Sequence, residues 1–262
     1  MSRDGGILAR YATVLEALAA APGGLSLIEV VQATGLPRGT VHRLLGALRD
    51  VGYIAPREGR KVYVLGPRLL RLLHLGVAPA AVSALAQPIL TGLVARFKET
   101  AFVAKLVGTE VESAAMAVPE GNGQSYVQPG RVMPAHAAAS AKAILAFQDE
   151  ALIDEMLSRP RARYTDNTHV AAAEVRADLE RVHRRGFAVC DEELDPGVLS
   201  YACPVHLEGA GVLYSVGLVG LSQRLGCHPE AEIVAILRDA AESLSRGLPS
   251  GPAPARMQEL VP

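Results

Sequence analysis

Gly35 and Pro37 stand one residue apart between two apolar stripes of helical period, and this punctuation constrains the fold of the first segment more than any other feature. A glycine permits the left-handed residue that ends a helix. A proline is tolerated in the first turn of the next helix, where its missing amide would have been unpaired anyway. Two short helices must therefore meet across a tight turn at 34–37. Upstream, Ser26 and Glu29 have the spacing of a capping box, in which a hydroxyl and a carboxylate close the exposed amides of a helix start. Downstream, Val41, Leu44, Leu45 and Leu48 form an inward stripe, while Arg38, Thr40, His42 and Arg43 occupy the start and outward side of the same helix. A helix over 7–18, carried by Ile7, Leu8, Tyr11, Val14, Leu15 and Leu18, precedes them and stops at Ala21-Pro22-Gly23-Gly24.

Two helices joined by a glycine-containing turn, the second bearing basic and hydroxyl groups near its start, fit a helix-turn-helix. Strand-like runs at 53–55 and 62–65 flank Arg57, Arg60 and Lys61, so a wing with a basic tip follows, placed to meet phosphates. Charge supports this. The chain of 262 residues has a net charge of −1, but residues 1–75 hold ten basic side chains against five acidic ones. The head therefore carries +5 and the remainder −6. A balanced total of this kind does not argue against a nucleic-acid partner.

Beyond Gly66-Pro67, a leucine-rich connecting helix leads to a boundary near Gly76 and Pro79, and an Ala/Leu-rich helix follows over 81–97. Strands are expected over 102–107, 111–118, 187–190, 201–207 and 212–219, with helices over 137–148, 151–157, 171–185 and 231–244. The architecture expected is α+β. A winged helix-turn-helix spans 1–66, a linker helix 67–79, a second domain 80–247 and a tail 248–262.

Metal and catalytic chemistry find little support. Cys190, Cys203 and Cys227 are too few and scattered for a disulfide framework, and with His136, His206 and His228 they lack paired ligand spacing. Neither metal nor cofactor is expected. Ser140 and Lys142 are two apart and no nucleophile motif surrounds them, so no catalytic residue is assigned. Lys142 is expected on a solvated or interface face of its helix, and Arg159-Pro160-Arg161-Ala162-Arg163 in a solvated loop. No run of about 18 uninterrupted apolar residues is present and the start lacks a signal-peptide pattern, so a cytoplasmic, reduced protein without a membrane partner is expected.

The run from Thr34-Gly35-Leu36-Pro37-Arg38 through Leu45, then Gly52-Tyr53 and Tyr63-Val64-Leu65-Gly66, resembles the winged helix-turn-helix of IclR-type transcriptional regulators. The segment Pro134-Ala135-His136-Ala137-Ala138-Ala139-Ser140-Ala141-Lys142-Ala143 is similar to that family's Pro-Leu-His-Ala-Thr-Ala-x-Gly-Lys-Ala. Gly186-Phe187-Ala188 and the stretch from Glu193 to Gly197 resemble its Gly-Tyr-Ala and Glu-x-x-x-Gly signatures, so the likeness covers 7–247 in order.

The resemblance implies a GAF-like effector domain with a central antiparallel sheet, and homodimers through head and linker that pair into tetramers. It also implies a pocket built on the loop 138–142 (Ala138, Ala139, Ser140, Ala141), with the acid at Asp191, a Cys position at Ser200 and two Ser positions at Gly217 and Val219. Losing those hydroxyl donors removes partners for an anionic head group. The effector expected is therefore larger or less charged than a short keto-acid, aromatic or lactone-like, against aliphatic walls such as Met116, Val118 and Val219. The function expected is a DNA-binding regulator, a repressor in preference to an activator, touching operator DNA through Arg38, Thr40, His42, Arg43, Arg57, Arg60 and Lys61. A hydrolase or amidase with a fused helical head, and a winged-helix interaction scaffold, stay open as alternatives.

Overall fold

The computed structural model describes residues 6–57, 59–120 and 128–248. A first compact unit ends at Gly76, and a second runs from Val77 to Leu207 and resumes at Gly211.

In the first unit, α1 (Ile7–Ala19), α2 (Leu27–Thr34) and α3 (Arg38–Asp50) enclose a core of Val14, Leu18, Val30, Val41, Leu44, Leu45, Leu48 and Ile54. The start of α2 is the expected capping box, with Ser26 Oγ accepting from the Glu29 amide and Glu29 Oε2 accepting from the Ser26 amide at 2.7 Å. Hydrogen bonds to the carboxyl from the Ser26 side chain and from the Ser26 amide hold Glu29 below its usual value. Gly35 closes α2 at φ +67°, and Pro37 caps α3 by offering its carbonyl to the amides of Thr40 and Val41. Strands β1 (Ile54–Pro56) and β2 (Tyr63–Leu65) pair antiparallel. Leu25 adds a bridge to Tyr63 through two backbone hydrogen bonds, so the wing is anchored to the turn before α2. Helix α4 (Pro67–Leu75) follows at once.

The second unit is built on six antiparallel strands in the order β5-β4-β3-β8-β7-β6. These are β3 (Thr100–Val107), β4 (Glu110–Ala117), β5 (Val132–Met133), β6 (Ala188–Asp191), β7 (Val198–Leu207) and β8 (Gly211–Leu221). Side chains alternate across the sheet, as the strand period requires. Ala202 packs toward α6 (Ala139–Leu145), α7 (Glu150–Leu157) and α8 (Ala172–Arg185), whereas neighbouring Cys203 reaches the Val234 carbonyl of α10 (Glu230–Gly247) on the other face. Helices therefore cover both faces, and the central strands β3, β7 and β8 are buried along nearly their whole length. Pro204 lies beyond the part of β7 that β6 covers, where a missing amide costs no ladder bond on that side.

Helix α5 (Pro79–Phe97) is long and apolar enough, by length and composition, to cross a membrane. Its stripe Val82, Ala86, Leu90, Leu93 and Phe97 is nonetheless buried in the second unit. The short strand β5 and the single turn α9 (Ser222–Leu225) were not anticipated from the sequence, being too short to carry a period.

One expectation fails. Lys142 is not on a solvated face: every residue of α6 is buried, Lys142 completely so. Its Nζ lies 2.8 Å from Asp178 Oδ2 on α8 and 2.6 Å from Glu193 Oε1 in the β6–β7 loop. A buried ammonium persists only with its countercharges, and here two carboxylates arrive from distant parts of the chain. Burial pushes the Asp178 carboxyl up, but Lys142 and Arg181 outweigh it and hold the group below its usual value. Burial raises the Glu193 carboxyl, and Lys142 offsets only part of that rise. The 159–163 segment is the exposed loop expected, with Arg161 half-buried. The Arg161 guanidinium donates to the carbonyls of Val170 and Leu157, and Arg159 pairs with Glu110 at 3.2 Å.

Replacing Lys142 by Met should lower unfolding free energy by about 3–5 kcal/mol, because both carboxylates lose their buried partner. Adding Asp178→Asn and Glu193→Gln to that variant should recover much of the loss in urea denaturation. An unchanged midpoint for Lys142→Met would contradict a structural role for the triad.

Candidate functional site

Two regions gather the residues singled out from the sequence. The first is the outer face of α3. Burial of Val41, Leu44, Leu45 and Leu48 turns Arg38, His42 and Arg43 outward, with Thr40 half-buried between them. Among the described residues no side-chain hydrogen bond or ion pair occupies Arg38 or Arg43, and both guanidinium groups are exposed. In the wing, the Arg57 amide bonds the Val62 carbonyl and its guanidinium donates to the Pro22 carbonyl at 3.3 Å. Arg60 and Lys61 are exposed at the tip, next to Glu58, which lies outside the described residues. The major groove of B-DNA admits an α-helix, and α3 exposes Arg38 and Arg43 on its outer face.

The second is a cavity of about 40 Å³ in the second unit, between α6, the β6–β7 loop and the sheet. Of the expected residues, Ala138, Ala139, Ser140, Ser200 and Val219 line it. Five others do not. Ala141 is fully buried elsewhere in α6, and Asp191 is exposed at the end of β6. Met116 faces Phe102 in the β3–β4 register, and Val118 is exposed past the end of β4. Gly217 lies two residues before Val219, where a Cβ would come within 2.5 Å of Phe102 Cζ and 2.3 Å of the Tyr201 carbonyl oxygen.

Sequence reasoning missed Phe102, Met133, Cys190, Leu194, Asp195 and Val198, all of which line the cavity. Phe102 matters most, since its ring takes the room that a side chain at 217 would need. A glycine inside a strand is the one signal that could have revealed this, because it marks a close approach. The wall is thus partly aromatic rather than wholly aliphatic. The polar atoms are few. Ser200 Oγ donates to the Leu218 carbonyl at 2.9 Å, and the buried Ser140 Oγ has no partner. Burial, reinforced by nearby Glu193, pushes the Cys190 thiol up to about 11, so it stays protonated at neutral pH. Among the described residues no group of histidine, cysteine and carboxylate side chains is placed to hold a metal ion.

A model of the IclR helix-turn-helix domain matches residues 7–58, and one of the bacterial transcriptional regulator IclR C-terminal domain matches residues 76–246. The chain belongs to the IclR family. An HTH-type transcriptional regulator of Mycobacterium tuberculosis is 34% identical over 226 residues, covering 84% of this chain and 83% of its own. The glycerol operon regulatory protein of Streptomyces griseus is 32% identical over 257 residues, covering 96% and 99%. The crystal structure of an IclR transcriptional regulator from a Silicibacter species superposes with a TM-score of 0.59 at 26% identity, over 95% of this chain and 100% of that one. This IclR-family chain is thus a transcriptional regulator and not an enzyme, which removes the hydrolase alternative. Its helix-turn-helix implies DNA binding, and a ligand-binding C-terminal domain is typical of the family.

Gly217→Ala should destabilise the second unit by about 1–3 kcal/mol through overpacking. Because the added methyl meets Phe102, the double variant with Phe102→Ala should lose less than the two single losses combined, read as coupling in urea melts. Simple additivity would show that the ring and the glycine do not share space.

Proposed function

We propose that this IclR-family regulator is a cytoplasmic repressor that holds operator DNA as a homodimer or a dimer of dimers and releases it when a small organic effector enters the C-terminal cavity. The observation that carries the reading is the outer face of α3, where Arg38 and Arg43 are exposed with their inward neighbours locked in the core. A guanidinium so placed can pair bidentately with guanine, Thr40 and His42 can reach bases or phosphates, and Arg57, Arg60 and Lys61 meet the backbone. Exposed apolar side chains support a second copy as partner of the head: Ile7 and Leu8 on α1 are 64% and 79% exposed, and Leu72 and Leu75 on α4 are also open. A two-fold protein then requires half-sites in an imperfect palindrome.

The cavity supports an effector other than a short keto-acid. Where the resemblance implies two Ser hydroxyls, Gly217 and Val219 offer none, and a buried carboxylate without donors is costly. Effector binding acts by favouring one arrangement of the two reading heads over another, since a ligand shifts an equilibrium only by its differential affinity.

Fluorescence anisotropy against the upstream region of the chain's own gene tests the reading. Arg43→Ala should weaken specific binding by about 1–3 kcal/mol, whereas Lys61→Ala should weaken all sequences alike and lower the salt slope by about one. Absence of sequence-specific binding at modest salt would refute DNA recognition by α3. Calorimetric titration with glyoxylate and pyruvate should show no tight binding, and removing the gene should raise transcription from the bound promoter.

A further inference from the structure

We infer that the second unit carries a further ligand site, a cleft between the end of α6, α7 and α8 that takes a protonated aliphatic amine. Gln148 receives the ammonium there, and Ile153 and Leu179 receive the hydrocarbon body. The cleft shares no lining residue with the cavity under the β6–β7 loop.

The cleft encloses about 380 Å³, within the roughly 300–1,000 Å³ of small-molecule sites. Its apolar part is firm, since Ala146, Ile153 and Leu179 belong to the buried core of the unit and also line the cleft. Gln148 is 9% exposed, and its Nε2 donates to the Ile144 carbonyl at 2.9 Å and the Val212 carbonyl at 2.7 Å. Two donors spent on two carbonyls fix the orientation of the amide. Oε1 is then the amide atom left toward the cleft that Gln148 lines, and among the described residues it has no hydrogen-bond partner. Buried polar atoms are nearly always paired, so an acceptor in this position calls for a ligand that donates.

His183 repeats that demand. Its Nδ1–H donates to the Ala146 carbonyl at 2.8 Å and its ring packs against Phe147 at 4.8 Å, so the neutral imidazole presents Nε2 as a lone pair. The charges agree. Arg176 pairs with Glu150 at 2.8 Å and also with Asp154, and one guanidinium against two carboxylates leaves −1. Glu180 and Arg184 at the rim have no side-chain partner among the described residues, and their charges cancel. A cation entering the cleft neutralises the remaining charge, whereas an anion adds to it.

Head-group chemistry separates an amine from its analogues. An ammonium has three N–H donors and no acceptor, which matches Gln148 Oε1, His183 Nε2 and the Glu180 carboxylate. A hydroxyl brings a single donor and no charge. A carboxylate brings acceptors only, and so would set its charge against the lone pairs of Gln148 and His183. Arg184 could meet it only at the exposed rim, in the last turn of α8, where salt screens the attraction. A hydrocarbon body on the amine takes the place of water against Ile153 and Leu179.

The test is calorimetry on the full chain with isoamylamine, isoamyl alcohol and isovalerate, which share one branched skeleton and differ in head group. Wild type should bind isoamylamine, with the alcohol about three- to tenfold weaker and isovalerate giving no binding heat. Gln148→Met should weaken the amine by about three- to tenfold. Glu180→Lys, at an exposed position, should weaken the amine by about three- to tenfold and leave the alcohol unchanged. This surface substitution keeps the inference testable if the Gln148 variant does not fold. No isoamylamine binding in the wild type at millimolar concentration, or isovalerate binding as tightly as the amine, would overturn the inference. Unchanged amine affinity in either variant would overturn it as well, since the amine would then sit elsewhere on the chain.

Discussion

The second unit depends on one buried ammonium. Lys142 draws Asp178 from α8 and Glu193 from the β6–β7 loop onto α6, joining parts of the chain that are distant in sequence. Each charge is tolerable only because the others are present, since an isolated buried ion costs several kcal/mol. The cavity inherits its shape from this arrangement. Its roof is the same loop, through Leu194 and Asp195, and one wall is the same helix, through Ala138, Ala139 and Ser140. Loop backbone is further held from behind, where Thr165 and Thr168 hydroxyls donate to the carbonyls of Glu192 and Glu193.

The floor depends on a steric relation instead. Phe102 lies against β8 because residue 217 has no side chain, and Gly217 is required where it stands because Phe102 and the Tyr201 carbonyl fill the space above it. A hydroxyl at 217 and a ring at 102 are alternatives for one volume. A side chain at 217 would therefore displace Phe102, which ties the shape of the cavity to strand packing.

Much of the first unit was legible in the sequence because its signals are local. Ser26 with Glu29, Gly35 with Pro37, and the stripe Val41, Leu44, Leu45 and Leu48 each act within one or two turns, and each recurs in the structure in the role its spacing implies. The second unit was less legible. Its strands were found, but β5 and α9 were too short to show a period. Lys142 was placed on the wrong side because a lysine on an alanine-rich helix looks solvated until the helix is seen to be buried on every face. Five of the expected cavity residues line it; Met133, Leu194 and Asp195 reach it through pairing and loop closure that no spacing encodes.

By itself, then, the sequence determined the helix-turn-helix, the wing, the separation of a basic head from an acidic body, and the family. Caps, turns and helical stripes are short-range, so neighbouring residues suffice to specify them. Only the tertiary structure decided which residues share the cavity, which charge is buried, and which side chain occupies the space above Gly217. Those depend on contacts between residues such as Phe102 and Gly217, or Lys142 and Glu193, far apart in the chain and brought together by the sheet and by the need to pair every buried charge.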